Sequence, residues 1–339
     1  MKPFDVASLL DIPDMTTCLV RVEQAMLAAV ATDNPSLQMP ISRLVSARSK
    51  RLRSMLVTAV ATIGGKDIDE KVIAGCAAIE LVHIGSLVHD DIIDKADTRW
   101  GIPTVSSQEG VTHAILAGDY LLAKAGVVAA TISSETACLI SSTIAALCSG
   151  ESREFTDEFN IDRNTDSFFA SISDKTGALI AAACQMGGLC TNMSSAKIES
   201  SRDFGMAFGM SFQLIDDLMD LLSTSELMGK PVGNDLEEGV YTLPVLLALN
   251  GSHRKVVGSL LTDKPVDQST LVELLVNEGY IKQVVDEIQK YNHKASAALS
   301  NIPGSESLQS LPEAYLEWAF ANLLDTPYRD ALQKFIAKV

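Results

Sequence analysis

Leu87-Val88-His89-Asp90-Asp91-Ile92-Ile93-Asp94 sets three carboxylates at positions i, i+1 and i+4 of an otherwise apolar run. Gln213-Leu214-Ile215-Asp216-Asp217-Leu218-Met219-Asp220 repeats that spacing in the second half of the chain, again between apolar neighbours. On a helix, i and i+4 lie one above the other, and i+1 is rotated by about 100°. Each run therefore offers two stacked carboxylates and one beside them. Carboxylates on apolar helices are costly to bury unless something cationic joins them. Hard divalent ions bound through oxygen meet that need. Mg²⁺ takes one or two carboxylates and completes its shell with water and phosphate oxygens. Two such clusters facing each other would hold a diphosphate through shared ions.

The chain around these runs reads as helical. Period-2 alternation is scarce and helical spacing dominates. Leu19, Val22, Met26 and Val30 fall on one face of an early helix, and residues 68–94 read as a long one. Further helices are expected near 110–132, 134–150, 166–190, 196–224, 240–250, 268–300 and 311–337. Gly64-Gly65-Lys66, Arg99-Trp100-Gly101-Ile102-Pro103 and Ile302-Pro303-Gly304-Ser305 read as breaks, and Ser223 to Gly239 as a polar segment over a site. No linker or repeat divides residues 1–339, so one all-α domain is expected.

Composition agrees. Hydrophobic residues make up 47% of the chain and aromatic residues 5%, a mix that supplies a core and favours helices over a β-sandwich. The net charge of −16 argues against a general nucleic-acid binder or a binder of anionic membranes. The longest apolar stretches are interrupted by charges such as Asp119 and Lys124, so no stable membrane insertion is expected. Six cysteines without a CxxC pair, and an amino terminus without an apolar signal run, fit a cytoplasmic protein with reduced thiols. An EF-hand is excluded, because the loop glycine and distal glutamate are missing. Neither Gly65-Lys66 nor Gly229-Lys230 makes a P-loop.

The chain resembles the trans-isoprenyl diphosphate synthases, or polyprenyl synthetases, of the geranylgeranyl diphosphate synthase type. Beyond the two aspartate runs, the resemblance rests on Lys50-Arg51-Leu52-Arg53, Glu80-Leu81-Val82-His83, Ala117-Gly118-Asp119-Tyr120-Leu121, Lys175-Thr176, Phe212-Gln213, Gly229 through Leu236 and Thr242-Leu243-Pro244. It implies an isoprenoid-synthase helical bundle around a central cavity, a homodimer, and magnesium bound with the diphosphate. Asp90, Asp91, Asp94, Asp216, Asp217 and Asp220 would hold the ions. Arg99, Lys175 and Lys230 would contact an allylic prenyl diphosphate. Lys50, Arg53 and His83 would hold the phosphate of isopentenyl diphosphate. Thr176 and Gln213 would turn oxygen dipoles toward the developing carbocation. Gly85 and Ser86, small residues one turn below Asp90, would leave a deep pocket for a C20 or longer chain. His113, His253 and His293 match no motif.

The departures gather on the acceptor side. The expected Gly-Gly-Lys-Arg is Arg48-Ser49-Lys50-Arg51, and Ser54 replaces a proline. Trp100 replaces the second of two arginines. Gly150-Glu151 replaces Gly-Gln, and Val240 stands where Gly-Lys-x-Thr has lysine. Two readings stay open. With Arg48 supplying the missing charge, the chain is an ordinary elongating synthase. With a rebuilt acceptor site, it prenylates another acceptor, phosphorylated or aromatic, or cyclises its substrate. A third reading, a non-catalytic partner subunit of a heteromeric synthase, sits less well with retention of all six aspartates.

Overall fold

The computed structural model describes residues 4–47, 49–63, 67–223, 234–262, 266–323, 326 and 328–329. Arg48, Lys230, the break at 64–66, most of the segment between Ser223 and Gly239, and the end of the helix expected to reach 337 lie outside these residues.

Among the described residues, the helices in chain order are α1 Val6–Leu10, α2 Met15–Ala29, α3 Pro35–Val45, α4 Leu52–Ile63, α5 Glu70–Ile93, α6 Val105–Gln108, α7 Val111–Ala130 and α8 Ser134–Thr156. They continue with α9 Thr165–Ile172, α10 Ala178–Cys190, α11 Ser195–Leu222, α12 Asn234–Glu238, α13 Leu243–Leu249 and α14 Arg254–Thr262. The last three are α15 Gln268–Asn277, α16 Tyr280–Leu299 and α17 Glu306–Leu323. The loop expected at 99–103 is a small antiparallel hairpin, β1 Thr98–Arg99 against β2 Ile102–Pro103, with Arg99 opposite Ile102.

α5 is the central helix. Its Asp69 N-cap accepts from the amides of Lys71 and Val72, and its residues are apolar on every side, as expected of a helix enclosed by others. It packs against α2, α4, α7 and α10, while α11 packs against α10, α16 and α17. One buried cluster runs from Val6 to Leu323, in keeping with a single core. All six cysteines carry free thiols.

α5 and α7 are each long and apolar enough to cross a membrane. The apolar window of α5 is 72% buried inside the bundle and that of α7 is 33% buried. Val111, Ile115, Leu116 and Val127 stand exposed on α7.

Two expected helices are interrupted. The one expected at 268–300 breaks at Gly279, whose φ of +78° is a left-handed conformation that glycine adopts without a Cβ penalty. The one expected at 166–190 contains a π turn, Ser173–Gly177, between α9 and α10. Both aspartate runs end their helices: Asp94 is the C-cap of α5, and Asp220 lies two residues before the end of α11.

Candidate functional site

The carboxylates sit where a helix end is least hospitable to them. The C-terminus of a helix carries a partial negative charge, which favours cations rather than anions. Neither α5 nor α11 places a basic residue in its last turn. The positive groups come from elsewhere. From the β1–β2 hairpin, Arg99 donates through Nε to Asp91 Oδ1 at 2.5 Å, and its Nη2 lies 4.0 Å from Asp94. From the π turn, Lys175 forms ion pairs with Glu151 at 2.8 Å and with Glu154, both on α8.

The π turn is held by a close approach. A Cβ on Gly150 would lie 2.5 Å from the Lys175 backbone nitrogen, so glycine lets α8 come this near. A π turn widens the helix locally and is frequent at functional sites. Here it presents Lys175 and Thr176 together.

Burial sets the protonation of the carboxylates. Asp90 is pushed up to about 7 by desolvation first and by the nearby Glu151 second, against the pull of Lys175. Asp91 and Asp94 are also raised by burial, with Arg99 opposing. Asp217, 8% exposed, is raised well above the usual carboxylate range by desolvation, although Gln213 donates to its Oδ1 at 2.8 Å. Its Oδ2 is buried without a hydrogen-bond partner. Burial works against the charge of Lys175, but Glu154 and Glu151 more than offset it, leaving its pKa above the usual lysine value.

Thr176, Gln213 and Asp217 form a relay. Thr176 donates to Gln213 Oε1 at 2.5 Å, and the Gln213 amide donates onward to Asp217. The Gln213 oxygen, expected to face a cation, is thus engaged by Thr176. The relay leads into a polar cavity of about 190 Å³ lined by Asp94, Glu154, Lys175, Asp217 and Arg163 among others. The C-terminal ends of α5 and α11 therefore meet across one space.

A second cavity, about 460 Å³, brings together Lys50, Arg53, His83, Trp100, Asp216 and Asp220. His83 is held neutral by burial and by Arg53, and its Nε2 lies 3.0 Å from Arg53 Nη1. A neutral His83 orients Arg53 rather than adding charge. Trp100, with φ of +52°, sits edge-on to His83 at 6.4 Å. Phe4, Tyr315 and Trp318 of the other wall belong to no motif; Tyr315 stacks on Phe212 and on Trp318 and meets Phe4 edge-on, and Lys50 lies 5.4 Å above the Trp318 ring. Tyr315 donates to Asp216 Oδ1 at 2.6 Å and so reaches the aspartate run from α17. Buried Glu80 accepts from Ser54 and pairs with Arg51 at 3.3 Å, fixing the start of α4 beneath Lys50 and Arg53.

A third cavity, about 550 Å³ and mostly apolar, runs from Asp90 past Ser86 to Leu122, Ile144, Leu147 and Phe155. Ser86 lines it as expected. Gly85 does not: a Cβ there would meet Leu122 of α7 at 3.0 Å, so this position serves helix packing and is not part of the cavity wall.

The described residues suit divalent cations. Asp217 offers a buried oxygen with no partner, and its neighbours are hard oxygen donors. Among the described residues no three His, Cys, Asp or Glu side chains already converge on one point.

Residues 34–278 match the polyprenyl synthetase family model. The chain is 32% identical over 307 residues to heptaprenyl diphosphate synthase component 2 of Bacillus subtilis, covering 90% of this chain and 82% of that one. It is 33% identical over 304 residues to nonaprenyl diphosphate synthase of Mycobacterium tuberculosis, covering 86% and 90%. Among solved structures, it superposes on polyprenyl synthase from Caulobacter crescentus complexed with calcium and isoprenyl diphosphate. There the TM-score is 0.82 at 27% identity, covering 93% of this chain and 98% of that one. Geranylgeranyl pyrophosphate synthetase from Pyrococcus horikoshii gives 0.83 at 29% identity, covering 91% and 98%.

The raised Asp90 makes a prediction about stability. Its folded pKa exceeds its unfolded one, so the folded, metal-free protein binds the extra proton between about pH 4 and 7 and loses stability as pH rises through that window. Asp90→Asn should therefore raise the melting temperature in EDTA at pH 8 and raise it less at pH 4. The check is a pair of thermal melts at each pH; equal gains at both would contradict the assignment.

Proposed function

The chain belongs to the polyprenyl synthetase family, and from that premise we propose that it condenses an allylic prenyl diphosphate with isopentenyl diphosphate. The product is a trans-prenyl diphosphate of C20 or longer. The observation that carries this reading is the meeting of both aspartate runs with Lys175, Thr176 and Gln213 around one polar cavity, with an apolar cavity leading away from Asp90.

Asp90, Asp91, Asp94, Asp216, Asp217 and Asp220 are proposed to hold Mg²⁺. Bound ions supply Lewis-acid stabilisation of the departing diphosphate. The chain's own residues do the rest. Lys175 and Arg99 exchange carboxylate partners for phosphate oxygens and hold the diphosphate as charge moves onto it. Gln213 and Thr176 keep Asp217 in one orientation. The apolar walls of the Ser86 cavity hold the prenyl tail and exclude water from the allylic cation. Arg53, aimed by His83, and Lys50 hold the acceptor's diphosphate so that its double bond lies near the electrophilic carbon. Attack forms the new C–C bond, and the proton lost from the acceptor leaves with the released diphosphate.

The chain is proposed to act as a homodimer, with the exposed apolar residues of α7 as the shared face. The name of the Bacillus relative raises a heteromeric alternative. Retention of all six aspartates would make this chain the catalytic member of such a pair.

A specific observation keeps a second reading in play. Trp100 and the Phe4–Tyr315–Trp318 cluster give the acceptor cavity an aromatic lining, which suits a planar acceptor as well as an isopentenyl chain. Product mass analysis tests the two. The protein is incubated with Mg²⁺ and dimethylallyl, geranyl, farnesyl or geranylgeranyl diphosphate, each with and without isopentenyl diphosphate. Longer prenyl diphosphates are expected only with the acceptor present; products formed without it would identify cyclisation.

Two substitutions sharpen this. Trp100→Arg should lower the KM for isopentenyl diphosphate about ten-fold or more, since a charge-assisted contact contributes about 1.5–3 kcal/mol; steady-state kinetics would show loss of the native reaction instead if Trp100 packs against a different acceptor. Ser86→Phe should shorten the longest product, because a ring one turn below Asp90 occupies the path of the tail. An unchanged product would place the floor of the pocket elsewhere.

A further inference from the structure

Arg163 lies in the connection between α8 and α9, outside every motif above. The residue is 3% exposed. The backbone on either side is tied down: the Arg163 amide donates to Asn160, and its carbonyl accepts from Asn250. The side chain stacks over Phe168 at 5.6 Å and lies 3.1 Å from one carboxylate oxygen of Asp157 through Nε. A guanidinium carries five N–H donors. Here Nε and Nη2 are buried without a hydrogen bond. An arginine this deep with donors to spare is costly unless a ligand meets them.

The cavity beside it shows where that ligand would sit. Arg163 lines the same 190 Å³ space as Asp94, Lys175 and Asp217. Asp217 Oδ2, the other buried atom lacking a partner there, is an acceptor. An unsatisfied donor and an unsatisfied acceptor thus line one cavity without pairing with each other. The volume is well above the roughly 10–15 Å³ that one water requires. The occupant must present negative charge to Arg163 and positive charge to Asp217, which is the character of a metal–diphosphate complex. Of the two cations on this wall, Lys175 must release Glu151 and Glu154 before it meets a phosphate. Arg163 has N–H groups uncommitted, and position 240 on the same wall is valine.

We infer that Arg163 binds the diphosphate of the allylic substrate from the α8–α9 side of the cavity. The inference rests on the allylic site proposed above. Asp157 supports Arg163 in this role, since its carboxylate accepts from Ser167 and Asn160 and so holds the guanidinium in register.

The test uses the full chain with saturating MgCl₂ and inorganic pyrophosphate, followed by calorimetry. Arg163→Met should weaken pyrophosphate binding ten-fold or more and raise the KM for the allylic diphosphate, leaving the KM for isopentenyl diphosphate unchanged. Moving the charge, in Arg163→Met/Val240→Lys, should recover at least three-fold in affinity. A folded Arg163→Met that binds pyrophosphate like wild type overturns the inference alone. Wild type that binds no pyrophosphate overturns the allylic site and the inference together. Should Arg163→Met not fold, Asp157→Asn replaces it: a guanidinium no longer held in register should bind pyrophosphate at least three-fold more weakly, and unchanged affinity overturns the inference.

Discussion

Carboxylates crowded at the negative ends of two apolar helices set the terms for the rest of this molecule. Helix C-termini favour cations, yet α5 and α11 both close on aspartates with no basic residue in the last turn. Burial adds to the cost, as the raised Asp90, Asp91, Asp94 and Asp217 record. Within the two helices no cationic residue of the last turn relieves it. Each remaining feature of the site answers this imbalance. Arg99 comes from a hairpin, Lys175 from a π turn, Gln213 from one turn upstream on α11, and Tyr315 from the last described helix.

Close packing makes those answers precise. Gly150 lets α8 touch the Lys175 backbone, and a Cβ on Gly209 would lie 2.8 Å from the Gly177 Cα, so α11 lies directly against the π turn. Lys175 and Thr176 are fixed between two helices, and their positions follow from backbone contact more than from side-chain rotamers. The acceptor side is built differently. Rings from the two ends of the chain, Phe4 edge-on to Tyr315 and Tyr315 stacked on Trp318, form its wall, while the Glu80–Arg51 pair beneath secures the start of α4. The site therefore joins a rigid, glycine-set half that handles leaving-group charge to an aromatic half that shapes the acceptor.

Sequence reading reached what periodicity and spacing encode. The two D-D-x-x-D runs located both aspartate helices, and α5 and α11 begin and end within two residues of expectation. Features made by tertiary contact left weaker traces. The π turn has no compositional mark, because α10 after it is apolar on nearly every side and hides the phase shift of about 100° that one added residue brings. Glu154 could have been found as the i+3 neighbour of Glu151 on one helix face. Tyr315 and Arg163 belong to no local motif, and only the fold brings them to the aspartates. Gly85 reads as pocket space from its small size, and the Leu122 side chain 3.0 Å from where its Cβ would lie is a contact that sequence spacing does not show.

The central claim is that the two aspartate runs are half-sites, completed by a diphosphate. It is tested most directly by calorimetric titration of Mg²⁺ into the full chain with and without saturating inorganic pyrophosphate. Because Mg²⁺ takes one or two carboxylates and completes its shell with phosphate oxygens, the account predicts weak Mg²⁺ binding alone and binding tighter by ten-fold or more with pyrophosphate. Equal Mg²⁺ affinity in both titrations would contradict it.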